Sequence, residues 1–245
     1  MVDDAAPAAE ARPPIWLRPE RGARGPRPAY SRADLAAAAI QVADAEGLEA
    51  VSLRRVARDL GSGTTTLYRY IATKDELFDL MVDAAFGEHE PPAPTGDWQA
   101  DLRVVACEYR ALVVRHPWLA ALPAARPALG PNSLAWLDAA YATVDVLDLA
   151  ADEVLAQVGT VLTFVRGHVL DELAEQETAR RSGVDMPKWL AVQAQYGESI
   201  IGSGNYPHLS RIMVEAEAPH ADDRYERAFR RGLDHILTGL AHSGR

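Results

Sequence analysis

The chain has 245 residues, a formal net charge of −10 at pH 7 and a single cysteine, Cys107. This length allows a small domain and a larger one. A single cysteine excludes an internal disulfide and a multi-cysteine metal site. We expect Cys107 to be a small buried side chain. No apolar run reaches the roughly 18 residues of a membrane helix, and the acidic N-terminus is unlike a signal peptide, which makes a cytoplasmic protein the expectation.

Residues 1–29 are rich in proline, alanine, glycine and arginine and are predicted to form a flexible arm. Six arginines and one acid fall within residues 12–32, whereas residues 75–245 carry 26 acids and 14 bases. A polyanion such as DNA is therefore attracted only to the front of the chain. The apolar cluster Ile15-Trp16-Leu17 interrupts the arm, and the sequence leaves open whether it is a chance feature of a tail or a functional one.

The first two predicted helices begin at serine N-caps. Ser31, with Asp34 in the first turn, starts a helix that ends near Glu46. Ser52 caps a second helix, which a glycine, Gly61, closes. The side chains expected in the core are Leu35, Ala39, Val42 and Ala43 from the first helix, and Leu53, Val56, Ala57 and Leu60 from the second.

A turn then leads into a third and a fourth helix. The third is predicted at Thr64 to Tyr70, with Leu67 and Ile71 pointing inward. Thr73-Lys74-Asp75-Glu76 predicts a capping box, in which the side chains of Thr73 and Glu76 each bond a free amide at the other end of the turn. The fourth helix then ends near Glu88, and its expected core residues are Leu77, Leu80, Met81 and Ala84.

The proline-rich segment Glu90 to Gly96 is predicted to be a joint between domains. From Trp98 onward the apolar pattern is helical throughout, and no alternating strand pattern occurs. The predicted helices are 97–115, 118–126, 131–148, 151–182, 186–199, 206–216 and 222–242. The fold class is therefore all-α, with an arm at 1–29, a helix-turn-helix domain at 30–89 and a larger helical domain at 97–245.

The helix pair at Ser52 to Tyr70 carries the chemistry of a DNA reader. Because Leu67 and Ile71 are committed to the core, the third helix turns Thr64, Thr65, Tyr68 and Arg69 outward, where they suit phosphates and base edges. Arg54 and Arg55 lie in the first turn of the second helix, whose free amides favour a phosphate. A solvated helical hairpin is the alternative that these residues alone leave open.

Residues 31–86 resemble the DNA-binding domain of the tetracycline-repressor (TetR) family of bacterial transcriptional regulators. The motifs that carry the resemblance are the helix end AEG at Ala45 to Gly47, SLRRVARDLG at Ser52 to Gly61, TTTLYRYI at Thr64 to Ile71 and TKDEL at Thr73 to Leu77. The resemblance implies DNA contacts from the recognition helix, from Arg54 and from a phosphate-binding lysine. The DNA-contact residues it implies, with the capping serine, are Ser52, Arg54, Thr64, Thr65, Thr66, Tyr68, Arg69, Tyr70 and Lys74.

The arm resembles arms of a subset of such repressors, in which arginines ahead of the domain enter the minor groove. Narrow A/T-rich minor grooves concentrate negative potential and favour inserted arginine. Our hypothesis is that Arg21, Arg24 and Arg27 act in this way.

Three later motifs resemble the C-terminal domain of the tetracycline-repressor subgroup: RHPWLAAL (Arg115 to Leu122), GPNSLAWLDAAY (Gly130 to Tyr141) and FVRGHVLDE (Phe164 to Glu172). The resemblance implies a ligand-binding domain and a homodimer in which helices 151–182 and 222–242 pair with their copies. The apolar stripe of the last helix agrees with a core or interface role. This stripe is Phe229, Leu233, Ile236, Leu237 and Leu240.

We expect a small-molecule pocket lined by aromatic side chains of the middle helices, with a few polar contacts. For each residue taken singly, an ordinary core or surface role is the alternative. The candidate pocket residues are Phe86, Tyr109, Arg110, His116, Trp118, Trp136, Tyr141, Phe164 and His168. His168 and Glu172 lie four residues apart, which is too weak a pattern for a metal site, so we predict no metal and no cofactor.

The sequence contains no nucleophile elbow, P-loop, dinucleotide-binding glycine pattern or zinc-protease motif, so we predict that the protein is not an enzyme. We predict a homodimeric repressor that binds a palindromic operator in double-stranded DNA and is released by a small, amphipathic or antibiotic-like effector. The regulated gene is expected to encode an exporter or a biosynthetic protein. The alternative is a helical small-molecule carrier or scaffold without specific DNA binding.

Overall fold

The computed structural model of the protein describes residues 13–19, 29–122 and 129–243. Within these ranges the chain is helical and contains no strand, which confirms the predicted all-α fold. The α-helices in them are α1 (Arg32–Glu46), α2 (Leu53–Asp59), α3 (Thr64–Leu67), α4 (Lys74–Phe86), α5 (Trp98–Arg115), α6 (Trp118–Ala121), α7 (Pro131–Ala142), α8 (Ala151–Ser182), α9 (Met186–Gly202), α10 (Pro207–Glu215) and α11 (Arg224–Ser243). Among these helices, none has both the length and the apolar character of a membrane span.

The chain divides into two compact units. Unit 1 consists of Met1–Ala93 and Arg115–Ala140, and unit 2 of Pro94–Val114 and Tyr141–Arg245. A compact unit is defined by its contacts, whereas a domain is defined by independent folding, so the boundaries predicted from the sequence stay a prediction.

The core of unit 1 forms where α1 packs on α4 and α2 packs on α1 and α3. The predicted inward residues of α1 are buried, as are Leu67 and Ile71. Ser31 and Asp34 form a capping box, because each side chain accepts a hydrogen bond from the other residue's backbone N–H. Two serine caps, at Ser31 and Ser52, therefore start α1 and α2 where the sequence predicts.

Four local predictions in unit 1 need correction. Ala84, expected in the core of unit 1, is only half-buried. In α2, Leu53 and Leu60 are only partly buried, because the helix is short and Val56 with Ala57 fills its inner face. Helix α3 ends at Leu67 and continues as a turn to Tyr70. The capping box before α4 is incomplete, since Thr73 Oγ1 accepts from the Glu76 N–H while Glu76 Oε2 accepts from the N–H of Ala72 at 2.7 Å.

In unit 2, α8 packs along α11 and α9 packs on α10. The predicted stripe of α11 is confirmed for Phe229, Leu233 and Leu237, which are buried. The single cysteine, Cys107, is exposed on α5 instead of buried. The helix expected at 131–148 ends at Ala142, because the β-branched pair Thr143-Val144 is buried in a non-helical turn before a short 3-10 segment, Asp145–Leu147.

Candidate nucleic-acid interface and sensor

The turn between α2 and α3 fixes the angle at which α3 leaves the domain. Gly61 adopts a left-handed backbone with φ +66°, which a glycine tolerates without steric cost. The N–H of Ser62 donates a hydrogen bond to the carbonyl O of Ala57 at 2.8 Å, which caps the C-terminus of α2. Leu67 is then buried, and the opposite side of α3 faces solvent.

Most of the predicted DNA-contact side chains lie at the surface. Tyr68 is 56 % exposed, and Thr65, Arg69 and Lys74 are exposed as well. On α2 and its cap, Ser52 and Arg54 are exposed. Thr64 and Thr66 are half-buried. The exposed group carries hydroxyl, guanidinium and ammonium donors, which are the groups that bind phosphates and base edges.

Tyr70 is placed differently from the expectation. Its side chain is only 8 % exposed, and its hydroxyl accepts a hydrogen bond from the N–H of Tyr30 at 3.3 Å. In this conformation the phenol ring belongs to the core of unit 1 and is unavailable to DNA, because α3 ends before Tyr70 and the following turn directs the ring inward.

Arg55 is committed to ion pairs within the domain. Its guanidinium donates two hydrogen bonds to Glu46 at 2.6 and 2.7 Å and one to Asp59 at 2.8 Å. These bonds raise the pKa of Arg55 and lower the pKa values of both carboxyls. Arg55 is therefore engaged within the domain, whereas Arg54 lies exposed beside it.

The arginines proposed for the minor groove, Arg21, Arg24 and Arg27, lie outside the described residues. The apolar cluster ahead of them is described, and it is folded. Ile15 is 2 % exposed within a 3-10 turn, Ile15–Leu17, so this residue of the cluster belongs to the core of unit 1, whereas Trp16 is half-buried and Leu17 is exposed.

The candidate pocket residues fall into both units. In unit 1, the rings of Phe86 and Trp136 lie 5.2 Å apart. His116 is 4 % exposed, with Nδ1 2.9 Å from Asp44 Oδ1 and Nε2 3.0 Å from Glu88 Oε1. The indole N–H of Trp118 donates to the same Asp44 oxygen at 2.7 Å. His116 and Trp118 are thus engaged in structural hydrogen bonds.

In unit 2, Phe164 stacks on Phe229 with ring centroids 5.8 Å apart, and His168 Nε2 lies 2.9 Å from the carbonyl O of Tyr225. Arg110 pairs with Glu172 at 2.9 Å and with Glu226 at 3.1 Å. Tyr109 and Tyr141 are half-buried, and burial raises the pKa of Tyr109. In the described part of the chain no cluster of three His, Cys, Asp or Glu side chains has the arrangement of a metal site.

Unit 2 contains a cavity of about 350 Å³. Of the nine candidate pocket residues only Arg110 lines it, and its walls are more charged than the apolar pocket expected from the sequence. The walls are mainly ionic because they are formed by the C-terminal half of α8 and the start of α11, where oppositely charged side chains pair. One such pair is Glu175 with Arg224. The charged residues that line the cavity are Arg110, Glu172, Glu175, Asp185, His220, Asp222, Arg224 and Glu226.

Sequence reasoning missed Asp83. Its carboxylate is 5 % exposed, and Oδ1 accepts hydrogen bonds from the N–H groups of Asn132 and Ser133 at 2.8 and 2.9 Å. The sequence signal that could have identified Asp83 is an acidic residue at an inward position of α4. A buried carboxylate needs hydrogen-bond donors, and the first turn of α7 supplies free N–H groups.

Two family models match the chain. Residues 35–81 match the model for bacterial regulatory proteins of the tetR family. Residues 90–243 match the model for the tetracyclin repressor-like C-terminal domain. Together they span the helix-turn-helix and most of the helical region that follows.

Curated relatives and solved structures give the same picture. The chain is 36 % identical over 228 residues to the HTH-type transcriptional repressor DrrR1 of Streptomyces coeruleorubidus, covering 92 % of this chain and 83 % of that protein. It is 31 % identical over 231 residues to an HTH-type transcriptional regulator of Saccharopolyspora erythraea, covering 93 % and 91 %. The structure of apo ActR from Streptomyces coelicolor superposes with a TM-score of 0.70 at 22 % identity, covering 90 % of this chain and 98 % of ActR, which shows a shared fold.

Proposed function

Because the chain belongs to the tetracycline-repressor family of bacterial regulatory proteins, a family of transcriptional repressors and not of enzymes, we propose that it binds a palindromic operator as a homodimer and leaves it when a small effector binds. One observation carries the proposal: α3 and the turn that follows it bury Leu67 and leave Thr65, Tyr68 and Arg69 in solvent. Access to chromosomal DNA requires a cytoplasmic protein.

The proposed contact with DNA places α3 in the major groove. Tyr68 and Arg69 would contact base edges or phosphates, and Lys74 at the start of α4 would bind a phosphate. The amide groups at the start of α2, beside the exposed Arg54, would take a second phosphate. A basic arm segment containing Arg21, Arg24 and Arg27 would add a minor-groove contact.

The experiment compares two arginine substitutions that remove the same charge. Arg69→Ala is expected to weaken binding to DNA from upstream of the protein's own gene by about tenfold or more, because a contact to DNA is lost. Arg181→Ala, at an exposed position near the end of α8, should leave the affinity unchanged. Equal affinities for the two variants would remove α3 from the interface, and absence of DNA binding by the unaltered protein would favour the carrier alternative.

A homodimer is needed because a palindromic operator presents two half-sites about one helical turn apart. We propose that α8 and α11 pair with their copies. Two features of α8 support this: Leu155 and Leu170 expose apolar side chains, and a Cβ at Gly167 would meet no atom within 4 Å, which leaves room for a neighbouring helix. The α9 and α10 pair also exposes apolar residues that a second copy would cover, namely Trp189, Val192, Tyr196, Leu209 and Ile212.

The effector is proposed to be a small, amphipathic or antibiotic-like molecule, and the regulated gene to encode an exporter or a biosynthetic protein. The cavity of unit 2 has a volume within the usual range of small-molecule sites. ActR, which shares the fold, has been crystallised in complex with actinorhodin. That structure superposes on this chain with a TM-score of 0.69 at 24 % identity. Release of operator DNA by effector candidates, starting with actinorhodin and minocycline as probes, tests this part of the proposal.

A further inference from the structure

The residues ahead of the arginine segment form a folded strap, which we define as Pro14 to Pro19. Ile15 is buried in unit 1, whereas Leu17, two residues later, is 76 % exposed. The guanidinium of Arg32, at the first position of α1, donates from Nη1 to the carbonyl O of Ile15 at 2.8 Å and to that of Arg18 at 3.0 Å. One apolar anchor and one charged clamp thus fix the strap to the domain.

The strap also places a cation at the start of α4. Arg18 Nη2 lies 2.6 Å from Glu76 Oε2, and both side chains are largely shielded from solvent. Glu76 lies two positions after Lys74, the proposed phosphate contact. A carboxylate at this point repels a DNA phosphate, and Arg18 neutralises it.

The chain is held again where the description resumes after the arginine segment. The hydroxyl of Tyr30 donates to the carbonyl O of Leu60 at 2.7 Å, and the N–H of Tyr30 donates to the hydroxyl of Tyr70. Residues 20–28, which include Arg21, Arg24 and Arg27, lie outside the described residues. The described residues on both sides of this range are therefore held by hydrogen bonds within unit 1.

We propose that the strap is a positioning element for operator binding, in which Ile15, Arg18 and Arg32 raise the affinity for DNA without contacting it. Ile15 and Arg32 hold the strap on the domain, and the strap in turn holds Arg18 against Glu76 at the start of α4. Neutralisation of Glu76 removes a repulsive charge from the same place. The inference rests on the proposed function as an operator-binding repressor.

The first test compares two substitutions that add the same charge to the same strap. Ile15→Asp puts a carboxylate into the core and detaches the strap, so Arg18 no longer neutralises Glu76 and operator affinity is expected to fall by about tenfold. Leu17→Asp leaves the anchor in place and should stay within about twofold of the unaltered full-length protein. Equal affinities for the two variants would overturn the proposal.

The second test works even if Ile15→Asp fails to fold. Arg18→Ala leaves Glu76 unneutralised and is expected to weaken operator binding several-fold. Glu76→Gln in the same chain removes the repelling charge and should restore most of the affinity. A direct contact between Arg18 and DNA predicts no such rescue, so a double variant as weak as Arg18→Ala contradicts the positioning role. Failure of the unaltered protein to bind any DNA would instead refute the proposed function itself.

Discussion

At the scale of single residues, Asp83 shows how one buried charge organises its surroundings. Its carboxylate caps the first turn of α7, accepting hydrogen bonds from two backbone N–H groups and from the hydroxyl of Ser133 at 3.2 Å. These hydrogen bonds satisfy free N–H groups at the start of α7 and join that helix to α4. Gly130 is required here, because a Cβ at that position would lie 2.2 Å from Asp83 Oδ1.

Asp83→Ala is expected to destabilise the protein by about 2 to 3 kcal/mol, because it leaves buried N–H groups without acceptors. Gly130→Ala should cost about 1 to 3 kcal/mol through the clash. Asp79→Ala, one turn earlier on α4, serves as the control and is expected to have a smaller effect. The measurement is denaturant unfolding, and equal losses for Asp83→Ala and Asp79→Ala would refute the capping role.

Asp101 predicts a dependence of stability on pH. Burial alone would raise the pKa of this carboxyl, but hydrogen bonds from the hydroxyl and N–H of Thr95 and from the N–H of Gly96 lower it below its ordinary value of 3.8. A depressed pKa stabilises the folded protein above the pKa of the unfolded chain, and this stabilisation is lost as the pH falls through the folded value. Asp101→Asn should therefore lower the melting temperature at pH 7, and the difference should shrink in acid. A difference in melting temperature that stays constant as the pH is lowered below 3.8 would contradict this account.

At the scale of elements, His116 joins the end of α1, the segment after α4 and the turn between α5 and α6 within unit 1. Its two ring nitrogens face two carboxylates, Asp44 and Glu88. Arg115 Nη1, at 2.8 Å from Glu88 Oε2, adds a positive charge to the cluster.

His116→Ala is expected to destabilise unit 1 by about 2 to 3 kcal/mol, because two carboxylates lose their shared donor. His116→Ala combined with Glu88→Gln should recover part of the loss, since the repulsion between the two carboxylates disappears. A matched control is His242→Ala on the exposed face of α11, for which no loss is expected. Thermal unfolding of the four proteins measures the effect, and a double variant less stable than His116→Ala would argue against the charge cluster.

The positions of the helices can be predicted from the sequence, whereas contacts between distant residues cannot. Serine caps and apolar periodicity place α1, α2 and α8 closely, because capping and amphipathic burial are local properties. The burial of Tyr70 and the folded state of the strap depend instead on contacts between residues far apart in the chain, such as Tyr30 with Tyr70 and Arg18 with Glu76. The walls of the cavity in unit 2 likewise arise from charge pairs such as Glu175 with Arg224, which a linear pattern does not reveal.

At the scale of the whole molecule, dimerisation through α8 and α11 is testable at Gly167. An arginine there fits the single subunit, since no atom lies near the Cβ position, but it fills the space proposed for the second copy. Gly167→Arg is expected to convert the dimer into a monomer and to weaken operator binding by about a hundredfold, because two linked half-sites become one. Val146→Arg adds the same charge at another exposed position of unit 2 and should remain dimeric. Light scattering after size-exclusion chromatography measures the mass, and a dimeric Gly167→Arg protein would move the interface elsewhere.

The distribution of charge explains how an acidic protein binds a polyanion. Residues 75–245 carry 26 acids and 14 bases, whereas residues 12–32 carry six arginines and one acid. Attraction to DNA is therefore expected from the early part of the sequence, and the acidic excess of the later residues disfavours non-specific contacts through unit 2.

The most direct test of the central claim is a footprint of the protein on the DNA upstream of its own gene. We predict protection of an inverted repeat with half-sites about one helical turn apart, together with loss of this protection in Tyr68→Ala protein of unchanged folding. Protection that lacks two-fold symmetry, or that is identical in the Tyr68→Ala protein, would contradict a dimeric repressor that reads its operator through α3.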